Sequence, residues 1–219
     1  MISKSKTPVT IVRPASAERV RNVQIAAWSL SIISCLLAIL AWGGNYNWKL
    51  LPLSAYTVFP LLGMLAFSLM WAHYVAGAVR ELAGLDRLVL KRYFSITSAV
   101  VLGLILLHPG LLIWQRWRDG YGLPPGSATS YVAPGLGWVV VLGMISFFIF
   151  LAFEFHRLFG DRKWFQYVKD ASDVAMLAIL YHGWKLAVEF QPVWYRYVWI
   201  FYAIFLIAVL VRKYKNRIA

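Results

Sequence analysis

The chain has 219 residues, of which 61% are hydrophobic, 16% aromatic and only 14% charged. A soluble domain carries roughly a quarter charged residues, so this composition excludes an ordinary water-soluble fold and describes an integral membrane protein. The net charge of +13 does not mark a nucleic-acid binder, because the basic residues sit in short clusters between apolar runs, which is the pattern of membrane topology.

Residues 1–22 are polar and basic with scattered prolines, and read as a cytoplasmic tail with no cleavable leader. A membrane-crossing helix needs roughly 20 mostly apolar residues. Six runs meet that length, at 24–43, 52–79, 93–114, 134–156, 171–190 and 194–212. The second is long enough to tilt or to bend at Pro60. The single cysteine, Cys35, lies in the first run, so no disulfide framework exists. The expected fold is an all-α six-helix membrane bundle over residues 23–212, followed by a short basic tail at 213–219.

Orientation follows from lysine and arginine. With the N-terminus in the cytoplasm, 17 of the 22 basic residues fall on the inside segments, and only Lys49, Arg116, Arg118, Lys185 and Arg196 fall outside. That bias places both termini in the cytoplasm. The longest external loop, Gln115 to Ala133, is rich in glycine and proline and reads as a turn-rich cap.

A histidine inside a membrane-spanning run is costly and marks a functional site. His108 lies 16 residues beyond Arg92 and His182 lies 13 beyond Lys169. At 1.5 Å rise per residue both stand roughly 20–24 Å from the cytoplasmic edge, level with one another in the outer half. Two imidazoles at one depth on separate helices suit the axial ligands of a single b-type haem. Small residues would leave room for the macrocycle: Ala175 and Ala178 before His182, Gly103 and Ala99 before His108. Arg116, Arg118 and Lys185, further out, would meet the propionates. The bland alternative is two unrelated histidines, each hydrogen-bonded within the bundle.

The other two histidines lie lower. His73 is in the inner half and His156 stands at the cytoplasmic edge, so together they would ligate a second, inner haem; His156 also reads as a plain interfacial residue. Glu154, Asp173 and Glu189 fall in or near the spans, where carboxylates either mark proton routes or reach the interface; Asp173 would alternatively cap its helix. Trp114, Trp117, Trp138, Trp184, Trp194 and Trp199 form an outer aromatic belt. Phosphate loops, GxGxxG, HExxH and Ser–His–Asp patterns are missing, so hydride chemistry needs another subunit or another donor.

Over roughly Leu61 to Leu186 the chain resembles the ferric-reductase-like transmembrane family, which includes the membrane cores of NADPH oxidases, ferric reductases, six-transmembrane metalloreductases and the bacterial subunit MsrQ. The carriers are LDRLVLKRYFSITSAVVLGLILLHP and GDRKWFQYVKDASDVAMLAILYHGW, which resemble the family's third and fifth core helices. Such helices typically bear two histidines each and stack an inner and an outer haem. Here the inner positions fall on Phe94 or Ser95 and on Val168 or Lys169, so the resemblance implies a single-haem member holding only the outer pair, His108 and His182. The expected role is a membrane electron-transfer subunit. Its donor would be a flavin/NAD(P)H reductase partner, with FAD inserted near Phe94, Trp164 and Phe165, or a membrane quinol near His73. Its acceptor would be a metal ion, oxygen or an external redox protein. Two other classes stay open: a proton- or ion-translocating transporter using the intramembrane carboxylates and His73, and a haem-free structural subunit.

Overall fold

The computed structural model describes residues 16–49, 53–159, 164–187 and 192–218, without the side chains of 156–159 and 218. It is all-helical, with no strand among the described residues. The long helices are α1 (Ala17–Asn45), α2 (Ala55–Leu82), α3 (Lys91–Arg118), α5 (Gly137–Phe159), α6 (Phe165–Leu186) and α7 (Val193–Ile218); α4 (Gly126–Thr129) is a single turn in the loop between α3 and α5. Five stretches are long and apolar enough to cross a membrane: α1, α2, α3 with its leading 3₁₀ turn, Gly137–Phe155 of α5, and α7 to Arg217. The helix α6, expected as a span, is not among them; it carries Lys169, Asp170, Asp173 and Lys185. Two boundaries also shift. The first helix begins at Ala17, inside the expected tail, and α7 runs to Ile218 through the expected C-terminal tail.

Local chemistry explains where the helices start and stop. The Ser16 hydroxyl caps α1 by accepting from the Arg19 N–H, and Ser54 with Thr57 forms a reciprocal capping box on α2. The last turn of α2 closes with the Leu85 N–H donating to the Arg80 carbonyl at 3.1 Å. Gly84 there adopts φ +64°, the left-handed conformation only glycine takes cheaply. Asp86 then accepts from the Leu88 N–H at 2.7 Å and starts the 3₁₀ turn Arg87–Leu90 that feeds α3. These few residues make a tight hairpin of α2 and α3. Pro60 and Pro109 sit inside α2 and α3 and each removes one N–H, yet neither ends its helix.

The bundle is built from close pairs: α1 with α2, α2 with α3, and α5 with α6, with α7 packed against α2 and α6. The α2–α7 seam is aromatic. Trp71 lies 4.3 Å from Tyr202 and Phe67 lies 4.4 Å from Trp199, ring centre to ring centre. The Trp71 indole N–H donates to the Tyr202 carbonyl, and that of Trp199 to the Leu180 carbonyl, both at 3.0 Å. Trp199 is therefore core, not belt: it is 2% exposed, while Trp114, Trp117, Trp138, Trp184 and Trp194 do lie exposed.

Near its start α6 is tied to its neighbours by charge. Asp173 is 3% exposed and accepts from the Tyr74 hydroxyl of α2 and from the Lys213 ammonium and Tyr214 hydroxyl of α7. Asp170 pairs with Arg217 one turn earlier. The expectation that Asp173 caps its helix or reaches the interface is thus corrected; it sits eight residues past the start of α6 as a buried knot between three helices. Replacing Asp173 by leucine leaves two phenols and an ammonium without their acceptor and is expected to cost about 2 kcal/mol. The measurement is the thermal midpoint in detergent micelles, and an unchanged midpoint would remove the knot from the account of stability.

Candidate functional site: two histidines on glycine seats

The two expected ligand histidines are held in the same way. His108 on α3 donates its Nδ1–H to the Phe59 carbonyl of α2 at 2.7 Å. His182 on α6 donates its Nδ1–H to the Val139 carbonyl of α5 at 2.9 Å. Four residues beyond each carbonyl, on the same helix, stands a glycine over which the ring lies. A Cβ on Gly63 would come within 2.7 Å of the His108 ring, and one on Gly143 within 2.5 Å of the His182 ring. Each hairpin therefore supplies a carbonyl and a glycine from its first helix and a histidine from its second.

The hydrogen bonds decide which nitrogen is available. A carbonyl only accepts, so in the neutral imidazole the proton sits on Nδ1 and the Nε2 lone pair is left over. Neither Nε2 has a hydrogen-bond partner among the described residues. The two histidines' helices, α3 and α6, pack chiefly on their own hairpin partners rather than on each other. Among the described residues no group of three or more His, Cys, Asp or Glu side chains gathers as for a bare metal ion. The donor set is two neutral imidazoles, each fixed by a carbonyl, and that set fits the axial positions of a haem.

The remaining expected residues fall out variously. Gly103 is half-buried, with open space where a Cβ would stand. Ala178 is half-buried and Ala175 buried, whereas Ala99 is exposed. Arg118 is exposed over the Trp114 ring, and Lys185 is exposed beside Tyr181. Arg116, expected as a propionate partner, is instead buried and committed to the loop between α3 and α5. Its Nε donates to the Ser127 carbonyl at 3.1 Å, a terminal nitrogen donates to the Ser130 hydroxyl at 2.8 Å, and its guanidinium lies 3.5 Å from the Tyr121 ring centre.

His73 has other employment than an inner haem. The Thr97 hydroxyl gives its proton to the Tyr93 carbonyl, so it accepts from His73 Nε2. The His73 ring also stands edge-on to Tyr93 and Phe94. The His156 side chain and Glu189 lie outside the described residues. Of the expected flavin seat, Phe94 is thus packed on His73, Phe165 is buried beside Phe153, and Trp164 is exposed. Sequence reasoning missed Gly63, Gly143 and the carbonyls of Phe59 and Val139. The signal on offer was weak: a glycine within an apolar span on the helix before each histidine.

The loop above His108 is braced by Asp119, which accepts from the Tyr56 hydroxyl at 2.7 Å and from the Gln115 amide. The Tyr56 hydrogen bond, then that of Gln115, holds the Asp119 carboxyl below the usual carboxylate range. A carboxylate with a depressed folded pKa stabilises above its ordinary titration range and loses that contribution as pH falls through the depressed value. Amide protection in residues 119–131 is accordingly expected to drop in acid. In Asp119→Asn it should be low already at neutral pH, and equal protection in the two proteins would refute the brace.

The chain matches no family model, no curated protein and no solved structure.

Proposed function

We propose that this protein is a membrane electron-transfer subunit of the ferric-reductase-like kind, carrying one b-type haem between His108 and His182. The observation that carries the reading is the pair of matched seats. Two imidazoles on separate hairpins are each fixed through Nδ1 to a backbone carbonyl and pressed onto a glycine, so each is left with an Nε2 lone pair to offer. A haem bound there accepts and releases one electron at a time. The protein's share is to hold both rings in one tautomer, to keep water away, and to offer cations to the propionates, for which Arg118 and Lys185 are the candidates.

The proposed topology has six spans with both termini in the cytoplasm. As the fifth span, α6 is 22 residues long, roughly 33 Å at 1.5 Å per residue. Its internal charge, Asp173, is neutralised by Lys213, and Lys185 lies in its last turn, so the sequence charges do not forbid crossing. Electrons would arrive from a membrane quinol or a flavin/NAD(P)H reductase partner and leave on the outer side to a metal ion, oxygen or an external redox protein.

A reduced-minus-oxidised optical spectrum of the purified chain, with haem measured per polypeptide, tests the reading. One b haem is expected, lost in His108→Ala and in His182→Ala and retained in His73→Ala. No haem in protein from haem-replete cells would refute it.

The seats make a finer prediction. Alanine at position 63 or 143 must push the imidazole aside, and disturbing the support of a metal-ligating histidine costs on the order of 10–100-fold in affinity. Gly63→Ala and Gly143→Ala should each weaken haem retention on dilution by that order, while Gly77→Ala, which meets nothing within 4 Å, should not.

A further inference from the structure

The two seats match in geometry but differ in one residue. The carbonyl that holds His108 belongs to Phe59, an aromatic, and the one that holds His182 belongs to Val139. The Phe59 ring packs on the His108 ring at 5.3 Å between centres and meets Tyr131 edge-on at 5.7 Å. Tyr131 in turn stacks on Tyr56 at 5.6 Å with the planes 6° apart. Tyr131 is exposed, so aromatic contacts run unbroken from a ligand-bearing histidine to the outer surface. Among the described residues no ring packs on His182 in this way.

The outer end of that chain is rigidly held. Tyr56 donates to Asp119, and Arg116, anchored on the Ser127 carbonyl and the Ser130 hydroxyl, approaches the Tyr131 ring at 5.8 Å. Tunnelling probability falls steeply across gaps and less steeply through atoms in contact, so of the two histidines His108 has the better coupled way out. We infer that Phe59, Tyr131 and Tyr56 form the outer electron exit of this protein, and that an anionic one-electron acceptor docks on the Tyr131 face. The inference rests on the haem reading above. The acceptor's sign follows from the charges beside the stack: Arg116 and Arg118 stand against Asp119 alone, so the face keeps a net positive charge even with Arg118 3.9 Å from the Asp119 carboxylate, and a net positive face steers anions. Each transfer oxidises the bound iron by one electron and reduces the acceptor by one, with no bond made or broken and no proton required.

Docking is tested without turnover. Full-length protein labelled with ¹³C-tyrosine in micelles is titrated with hexacyanochromate(III), a redox-inert paramagnetic anion. The Tyr131 and Tyr56 resonances, assigned by phenylalanine variants, should broaden before those of Tyr181 and Tyr197. The path is tested by mixing dithionite-reduced, haem-loaded protein with ferricyanide in a stopped-flow instrument. Tyr131→Leu should reoxidise several-fold more slowly at unchanged haem content and unchanged spectrum, while Trp138→Leu keeps the parent rate. A full-haem Tyr131→Leu protein with the parent rate, or broadening that settles first on Tyr181, would overturn the exit. A chain without haem fails earlier, at the optical spectrum, so loss of the function reading is told apart from loss of this one.

Discussion

A polar group in hydrocarbon has no water to turn to and must find its partner inside the protein. Much of how these helices are arranged follows from that constraint. The indole N–H of Trp42 goes from α1 to the Thr57 carbonyl of α2, that of Trp71 from α2 to α7, and that of Trp199 from α7 to α6. The Ser31 hydroxyl donates to the Ala27 carbonyl and accepts from the Tyr93 hydroxyl, which joins α1 to α3. Lipid tails are as apolar as leucine, so leucine burial does little to choose helix neighbours there, and such hydrogen bonds with close packing do the choosing. The histidine tethers belong to the same set. His108 and His182 each satisfy one nitrogen on a neighbouring carbonyl, and only the other is left to bind something.

Glycine is the second half of the same device. A ring lies closest against a helix where the backbone beside it is bare. Gly63 and Gly143 provide that bareness for the two histidines, and Gly183 does so for Trp199, whose ring would stand 2.7 Å from a Cβ there. Neutral polar hydrogens directed at backbone carbonyls, over small residues, let helices come close without leaving a donor unpaired. A histidine needs the seat more than a tryptophan does, because the orientation of its second nitrogen is what any bound metal would sense.

Much of the architecture was legible in the sequence because length and apolarity suffice to find helices. The Gly84 and Asp86 signals that stop α2 and start the 3₁₀ turn before α3 stand in the sequence too, though the spans were found there from apolarity alone. What could not be read was which face of each helix meets which neighbour. These spans are apolar nearly all round, so periodicity carries little information on facing. Trp199 therefore looked like a belt residue and is core, Arg116 looked like a ligand contact and is a loop anchor, and Asp173 looked like a cap and is a knot between helices distant in sequence. The carbonyls of Phe59 and Val139 had no side-chain signature at all, since any residue presents one.

On the proposed reading the inner half of the bundle does not repeat the outer. Where a second haem would need imidazoles on α3 and α6, α3 offers Phe94, packed edge-on against His73. The Nε2 proton of His73 is directed to Thr97, and Thr97 back to the Tyr93 carbonyl, so the α2–α3 interface is closed by polar ties and rings. Near the start of α6, Asp173 draws in Tyr74, Lys213 and Tyr214 and closes the seam with α2 and α7. Neither closed seam is the α3–α6 gap where the flavin is expected, so this packing stiffens the inner half without excluding either proposed donor.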